Sequence, residues 1–357
     1  MRRIRAWSLV AVLGAVNAGC AYNRPIPESP LAVPEGPQAP LTERWLLRAN
    51  RGMTLPLALH DGQLYGVGID RRVVAIDLAK GKERWAFRLE GPASSGVLFR
   101  NDTVFSTSDR PGGAVVAVTA ATGRSLWKRR VGWTGAPLAM VHDLIVTQTH
   151  DRGTFGIDPV KGKVKWQAPV FGGRTSALPA DSGSILIASM DSMYRLSAKD
   201  GLVEVRRGAP GPLMVDWAPS PQGVVAGTGM GEAVLLDPNE LTTRWRLRLD
   251  DAVLLPIAVR GDTAWMITRT NTIWRIDLAG GTASRLFTHA VPVTAPVGWW
   301  DGALLVGDAL GILTAYEPDH SVRWRLAVGR PLDVAPFEYE GDLIVMGGRG
   351  DVHRFAK

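Results

Sequence analysis

The sequence predicts an all-β chain, an eight-bladed β-propeller of four-stranded blades in which the N-terminal strand closes the ring. Three observations predict it. A tryptophan-type position recurs about every 40 residues, at 45, 85, 127, 166, 205, 245, 285 and 324. Short polar turns lead into apolar runs in step with it, from DGQLY (61–65) and NDTVF (101–105) to DGALL (301–305) and GDLIV (341–345). The two ends of the chain also complement one another, three strands at one end and a lone strand at the other. A fixed period near 40, with four short apolar runs per period and no helical periodicity between them, describes propeller blades.

The first segment, MRRIRAWSLVAVLGAVNAGC, has Arg2, Arg3 and Arg5, an apolar stretch from Ala6 to Val16, and small residues before Cys20. Such a stretch is too short to cross a bilayer as a helix but suits a secretory signal. Asn17-Ala18-Gly19-Cys20 resembles a bacterial lipobox, with Asn17 where the motif usually has Leu. The resemblance implies cleavage before Cys20 and lipidation there, by a diacylglyceryl thioether and an acylated (palmitate-type) amine. Ala21, in place of Asp, implies the outer membrane. Three acyl chains exceed the two signals that stable anchoring needs. The plainer alternative is an ordinary signal peptide with a leftover thiol, although Cys20 is the only cysteine. The expected division is a lipoprotein signal peptide at 1–19, an acylated cysteine with a Pro-rich, semi-extended tether at 20–40, and the propeller at 41–357.

From residue 41 the strands follow in order. ERWLLR reads as a fourth strand without its first three. TLPLAL, QLYGVG, RVVAID and ERWAFRL make blade one, and the same frame repeats. The strand-leading Pro56 and Pro336 stand 280 residues apart over seven steps. VAPFEYEG, LIVMGG and DVHRFA are three strands without a fourth, so ERWLLR completes the eighth blade.

The tryptophans have a structural explanation. Trp85 lies eight residues beyond Asp77, as Trp127 does beyond Thr119, Trp166 beyond Asp158 and Trp245 beyond Asp237. Trp45 has no such turn before it, Trp324 is one residue short of the offset, and Val205 and Arg285 hold the position without the ring. Alternate strand residues share a face, so these Trp residues are expected as packing wedges between blades. The positions −1, +1 and +3 from them are basic at 13 of 24 places, and only Glu204 is acidic. That basic edge either guards the outer strands against edge-to-edge pairing or attracts anionic headgroups or an acidic partner.

The string A-x-D-x-x-x-G-K-x-x-W, present as Ala75, Asp77, Gly81, Lys82 and Trp85, resembles the repeat of pyrroloquinoline-quinone-type propellers. Ala117, Gly123 and Trp127 repeat it, as do Asp158, Gly162, Lys163 and Trp166. That repeat serves both quinoprotein enzymes and non-catalytic scaffolds. The residues argue against catalysis. The histidines at 60, 142, 150, 289, 320 and 353 have no metal-ligand spacing, with His142 and His150 read as solvated turn residues. There is no Cys-x-x-Cys-His haem site, no adjacent cysteine pair and no assignable Ser-His-Asp set. Gly229-Met230-Gly231 and Gly347-Gly348 fall in blade turns. No cofactor and no metal are expected. The formal charge is +7, and loss of residues 1–19 with their three arginines leaves +4, which does not indicate nucleic-acid binding. The mature chain would hold no disulfide, so stability must come from a large core.

One connector is irregular. Val205 to Pro219 is the longest passage from a tryptophan-type position to the next strand. It contains GPLMVDWA, with Leu213, Met214, Val215 and Trp217 where a surface loop belongs. They form either a partner-binding surface or a flap that replaces the ring missing at Val205. Eight blades, a lipobox and a Pro-rich tether together resemble the BamB family of outer-membrane β-barrel assembly lipoproteins. The resemblance implies a periplasmic, non-catalytic scaffold that binds a BamA-type component and its complex and assists barrel insertion. Contact in that family runs partly through a mid-ring Leu-x-Leu-Arg element, where this chain has Leu213-Met214-Val215-Asp216. A quinone-dependent oxidoreductase and a different scaffold lipoprotein are the alternatives.

Overall fold

The computed structural model describes residues 35–357, except 50, 51, 110, 111, 174 and 190. The expected signal peptide, Cys20 and most of the expected tether lie outside the described residues. Among the described residues there are thirty-two strands and no helix, arranged as eight four-stranded antiparallel sheets. Blade one is β2 (Met53–His60), β3 (Gln63–Gly68), β4 (Arg72–Asp77) and β5 (Lys82–Arg88), hydrogen-bonded in that order. Six more blades repeat the plan. The eighth is β30 (Phe337–Tyr339), β31 (Asp342–Gly347) and β32 (Asp351–Ala356), completed on the outside by β1 (Thr42–Leu47). In it Thr42 lies opposite Ala356 and Leu47 opposite Val352. The propeller is therefore closed by its N-terminal strand.

Second and third strands are buried almost throughout because neighbouring blades cover both of their faces. Residues 144–149 of blade three, for example, are buried without interruption. The core is a ring of apolar clusters between blades. In one, Tyr65, Val67, Val73 and Ala75 of blade one meet Val104, Val116 and Val118 of blade two. The eighth blade is also tied by charge. His353 and Glu43 join β32 to β1 at 2.7 Å. Arg354 pairs with Asp342 at 2.6 Å and donates to the Leu78 carbonyl of blade one at 3.0 Å.

The outer strands carry β9 (Ser125–Arg130), β13 (Val164–Ala168), β17 (Val203–Gly208), β21 (Thr243–Arg248), β25 (Thr282–Thr288) and β29 (Val322–Ala327). Each tryptophan of this series reaches across to the next blade. All but Trp324 land on the glycine that turns that blade's third strand into its fourth. Gly81 has φ +63° and lies under Trp45, where a Cβ would come within 2.5 Å of the ring. Gly123, Gly162 and Gly201 lie likewise under Trp85, Trp127 and Trp166. A larger residue would meet both a left-handed backbone and an occupied space. Four indole N–H groups then donate to a carbonyl beside that turn: Trp85 to Ala120, Trp127 to Pro159, Trp166 to Ala198 and Trp245 to Leu278.

Two blades depart from this plan. At Val205 there is no ring, and the turn it faces carries Leu241 in place of glycine. Leu241 holds φ +55° and is 2% exposed. It packs in one cluster with Val205, Leu213 and Trp217. In blade six the register itself changes. Elsewhere a β-bulge falls just before the tryptophan position, as at Trp85 and Trp245. In blade six it falls after Arg285, which pairs with Trp274 while Phe287 pairs with Ile273. A shift of the bulge turns residue 285 to the other face. Phe287 faces the next blade instead, 4.2 Å from Tyr316 and 5.7 Å from His320 between ring centroids.

Trp324 has no such turn to land on, because the outer partner of β32 is β1 and not a strand that follows it through a turn. The segment before β1 supplies its cover. The Arg325 N–H donates to the Pro37 carbonyl at 2.8 Å, and the Ala39 N–H donates to the Arg325 carbonyl at 2.9 Å. Ala39 and Leu41 pack against Trp324.

Candidate interaction face

In a four-stranded antiparallel blade, the turn between strands two and three lies at the same end of the ring as the connector to the next blade. The other two turns of the blade lie at the opposite end. Of the twelve large hydrophobic residues that are exposed among those described, seven lie at the connector end: Ile69, Trp133, Phe171, Met214, Met230, Leu254 and Leu310. Turns are ordinarily built of Gly, Asn, Asp and Ser, so exposed large apolar groups at this end make it the candidate interaction face.

The mid-ring connector, residues 209–217, is the most elaborate part of this face. Of its four apolar side chains, three turn inward. Leu213, Val215 and Trp217 are 7%, 9% and 3% exposed, and Leu213 pairs with Thr228 as an isolated bridge. The Trp217 indole donates to the Ser176 carbonyl at 2.7 Å. Asp216 accepts from both the backbone N–H and the hydroxyl of the same Ser176. The Asp216-Trp217 pair thus clamps this connector to the preceding one. Burial pushes the Asp216 carboxyl above its ordinary value, against the hydrogen bonds from Ser176 that lower it.

Met214 alone of the four faces outward, at 44% exposure. It lies over Gly229, where a Cβ would come within 2.8 Å of its Cγ. Met230, 54% exposed, rises from the same turn and lies near Gly211. Two flexible thioether side chains therefore stand side by side at mid-ring, a surface that can re-pack around a partner. The sequence reading singled out Met214 but passed over Met230 as part of a glycine turn. The available signal was its place, since a large apolar residue in a two-to-three turn is out of keeping with a solvated loop.

A second feature of the face lies between blades two and three. Pro92, Asp109, Gly112, Trp133, Asp151 and Arg152 line a cleft of about 560 Å³. The Trp133 ring leans on His150 with centroids 4.7 Å apart, and the Trp133 backbone N–H donates to the Asp151 carboxylate at 2.9 Å. Asp109 accepts from Thr134 at 2.8 Å, and burial raises its carboxyl. An aromatic wall with two carboxylates suits a cationic or amide side chain.

Two of the histidines make contacts that serve the fold. His142 bonds the Ser184 carbonyl at 3.1 Å. His289 is buried between Tyr316 at 2.8 Å and Asp308 at 3.3 Å. Among the described residues, no three His, Cys, Asp or Glu side chains converge as a metal site would need. Several cations of the outer edge have acidic partners: Arg44 with Asp342, Lys128 with Glu90, Lys165 with Asp158, Arg244 with Asp237, Arg246 with Glu232 and Arg323 with Glu317. Exposed pairs of this kind contribute little to stability.

Comparison with known proteins gives two kinds of likeness. Among solved structures, BamB from Moraxella catarrhalis superposes with a TM-score of 0.73 at 16% identity, over 89% of this chain and 100% of that one. The computationally designed Ika8 protein superposes with a TM-score of 0.72 at 14% identity, over 86% and 97%. At such identities the likeness is one of fold. A 1-butanol dehydrogenase (quinone) of Thauera butanivorans is 26% identical over 156 residues, 36% of this chain. The match spans only 25% of that enzyme's length. The family described as outer membrane protein assembly factor BamB matches residues 42–222, just over half of the chain. With eight closed blades in the structure and that match in the sequence, this chain belongs to the BamB family.

Proposed function

We propose that the protein is a non-catalytic scaffold, anchored by lipid at Cys20 to the periplasmic side of the outer membrane. It binds a BamA-type component of the assembly complex and assists insertion of β-barrel proteins. The observation that carries this reading is the concentration of exposed apolar side chains at one end of the ring, with Met214 and Met230 at its centre. Leu213, Val215 and Trp217 hold the loop, and Met214 makes the contact. Interface energy gathers in a few such anchors, so Met214→Asp with Met230→Asp should abolish capture of the partner from detergent-solubilised outer membranes. Because both side chains are exposed, the melting temperature should stay close to that of the parent. Retained capture in a folded double variant would refute the site.

The partial likeness to a quinone-dependent dehydrogenase supports a second reading, an oxidoreductase. Quinone-dependent dye reduction by the purified chain would favour it over the scaffold.

A further inference from the structure

We propose that the flank formed by the outer strands of blades one to three is a docking surface for a membrane that bears anionic phospholipid. The inference goes beyond the partner-binding face, which lies at the end of the ring, and does not depend on an acyl anchor. The cations of the outer edge are unevenly placed. Strands β5, β9 and β13 with the turns before them, residues 77–88, 119–130 and 158–168, hold eleven Lys or Arg against three Asp or Glu. The matching segments of blades five to seven, residues 237–248, 277–288 and 317–327, hold six against five. All eleven cations of the basic flank are exposed. Protection from edge-to-edge pairing is needed by every outer strand alike. It accounts for a charge on each blade and not for their concentration on three adjacent ones.

Apolar side chains are set among these charges. Leu126 is 52% exposed at the bulge of β9, beside the run Lys128, Arg129 and Arg130. Val160, 79% exposed, stands in the turn before β13. Cations with exposed aliphatic groups between them suit a headgroup layer, where phosphates meet the charge and the apolar groups enter the acyl boundary.

The width of the flank also fits a plane. Eight blades place neighbours about 45° apart. Strands about 4.8 Å apart around an axial opening put the outer strand roughly 22 Å from the axis. With blade two against a flat surface, the outer strands of blades one and three then stand roughly 6 Å further back. That is within the Debye length of about 8 Å at physiological salt. The outer strands of blades four and eight, at right angles to the surface normal, are far outside it. The excess of charge is smaller on those blades: residues 197–208 of blade four hold three Lys or Arg against two Asp or Glu, and residues 42–48 of blade eight hold two against one.

The test uses the chain of residues 21–357, so that neither an acyl group nor the basic, apolar segment before Cys20 contributes. It is sedimented with vesicles of phosphatidylcholine alone and of phosphatidylcholine mixed with phosphatidylglycerol. Binding should require phosphatidylglycerol and weaken as salt is added. Arg124→Glu, Arg130→Glu, Lys161→Glu and Lys163→Glu together should lower the partition coefficient by about tenfold or more. Four reversals on the outer strands of blades five and six, at Arg244, Arg246, Arg248 and Arg285, should change it less than about threefold. If the flank variant fails to fold, the milder Lys161→Gln with Lys163→Gln should still weaken binding by about threefold or more. Equal losses on the two flanks, or binding indifferent to phosphatidylglycerol, would overturn the proposal.

Discussion

The Val205–Leu241 pair makes the tryptophan-on-glycine rule quantitative. If Leu241 occupies the space that a ring fills elsewhere, Val205→Trp and Leu241→Gly should each be harmful alone and compatible together. Leu241 is 2% exposed at φ +55°. Removing a buried Leu side chain costs about 3–5 kcal/mol. Release of a Cβ from the left-handed region returns about 1–2 kcal/mol. Leu241→Gly should therefore destabilise by about 2–3 kcal/mol. Val205→Trp drives an indole into an occupied site and should cost about 1–3 kcal/mol, as overpacking does. In the double variant the ring lies over a glycine turn, as Trp85 lies over Gly123. An indole that buries about 100 Å² more than valine adds about 2.5 kcal/mol. The double variant should then lie within about 1 kcal/mol of the parent, with a coupling of about 3 kcal/mol or more, at or above the upper end of what residues in contact show. The assay is equilibrium urea unfolding followed by far-ultraviolet circular dichroism, read by the midpoint at constant slope. Two single costs that simply add in the double variant would refute the reasoning. So would a harmless Leu241→Gly.

Three further outcomes follow from other parts of the molecule. Asp216 is a carboxyl whose folded value is raised, so its contribution is fullest below the ordinary carboxylate value of 3.8 and is lost as pH rises through the folded one. Asp216→Asn keeps an acceptor for the Ser176 N–H and should raise the unfolding midpoint at neutral pH, with the advantage fading in acid; a difference independent of pH would contradict this. Deletion of residues 36–47 should uncover Trp324 and the edge of β32, giving a lower melting temperature and self-association on size exclusion; an unchanged, monomeric protein would contradict the closure's importance. Cys20→Ser should leave a protein that is uncleaved or washed from the outer membrane by salt, and a mature, firmly bound variant would exclude the lipid anchor at that residue.

The fold was legible because its signal is repeated eight times. Any one of the strings around Trp85 is ambiguous, but together they set the period, the blade count and the partnership of residues 42–47 with the C-terminal strands. What stayed hidden was local register. Counting eight residues from Asp277 reaches Arg285, yet the bulge beyond it turns that residue outward and leaves Phe287 facing the next blade. One extra residue in a strand leaves no mark in composition. The interaction face was legible in part. The long connector stood out by length, but its length could not tell Met214 from Leu213, Val215 and Trp217, since all four are apolar and only packing against Ser176 and Thr228 separates them. Met230 and Trp133 join the face only after four strands have folded and brought their turns to one end.

The closing strand has a consequence for the order of events in folding. Residues 42–47 are synthesised before every other strand of the ring, and their partners, residues 352–356, after all the others. Seven blades can assemble from neighbours in sequence as the chain emerges, each seam joining segments a few tens of residues apart. The eighth joins the two ends of the chain, so its loop-closure entropy is met once, at the end, and the circular core reaches full cooperativity only then. Until that moment β1 remains an open strand on a nearly finished ring, and a second unfinished ring offers it the same partner. Slow or crowded synthesis should therefore favour exchange of N-terminal strands between copies, a route to swapped dimers that arises from the same pairing that makes the finished monomer edge-complete.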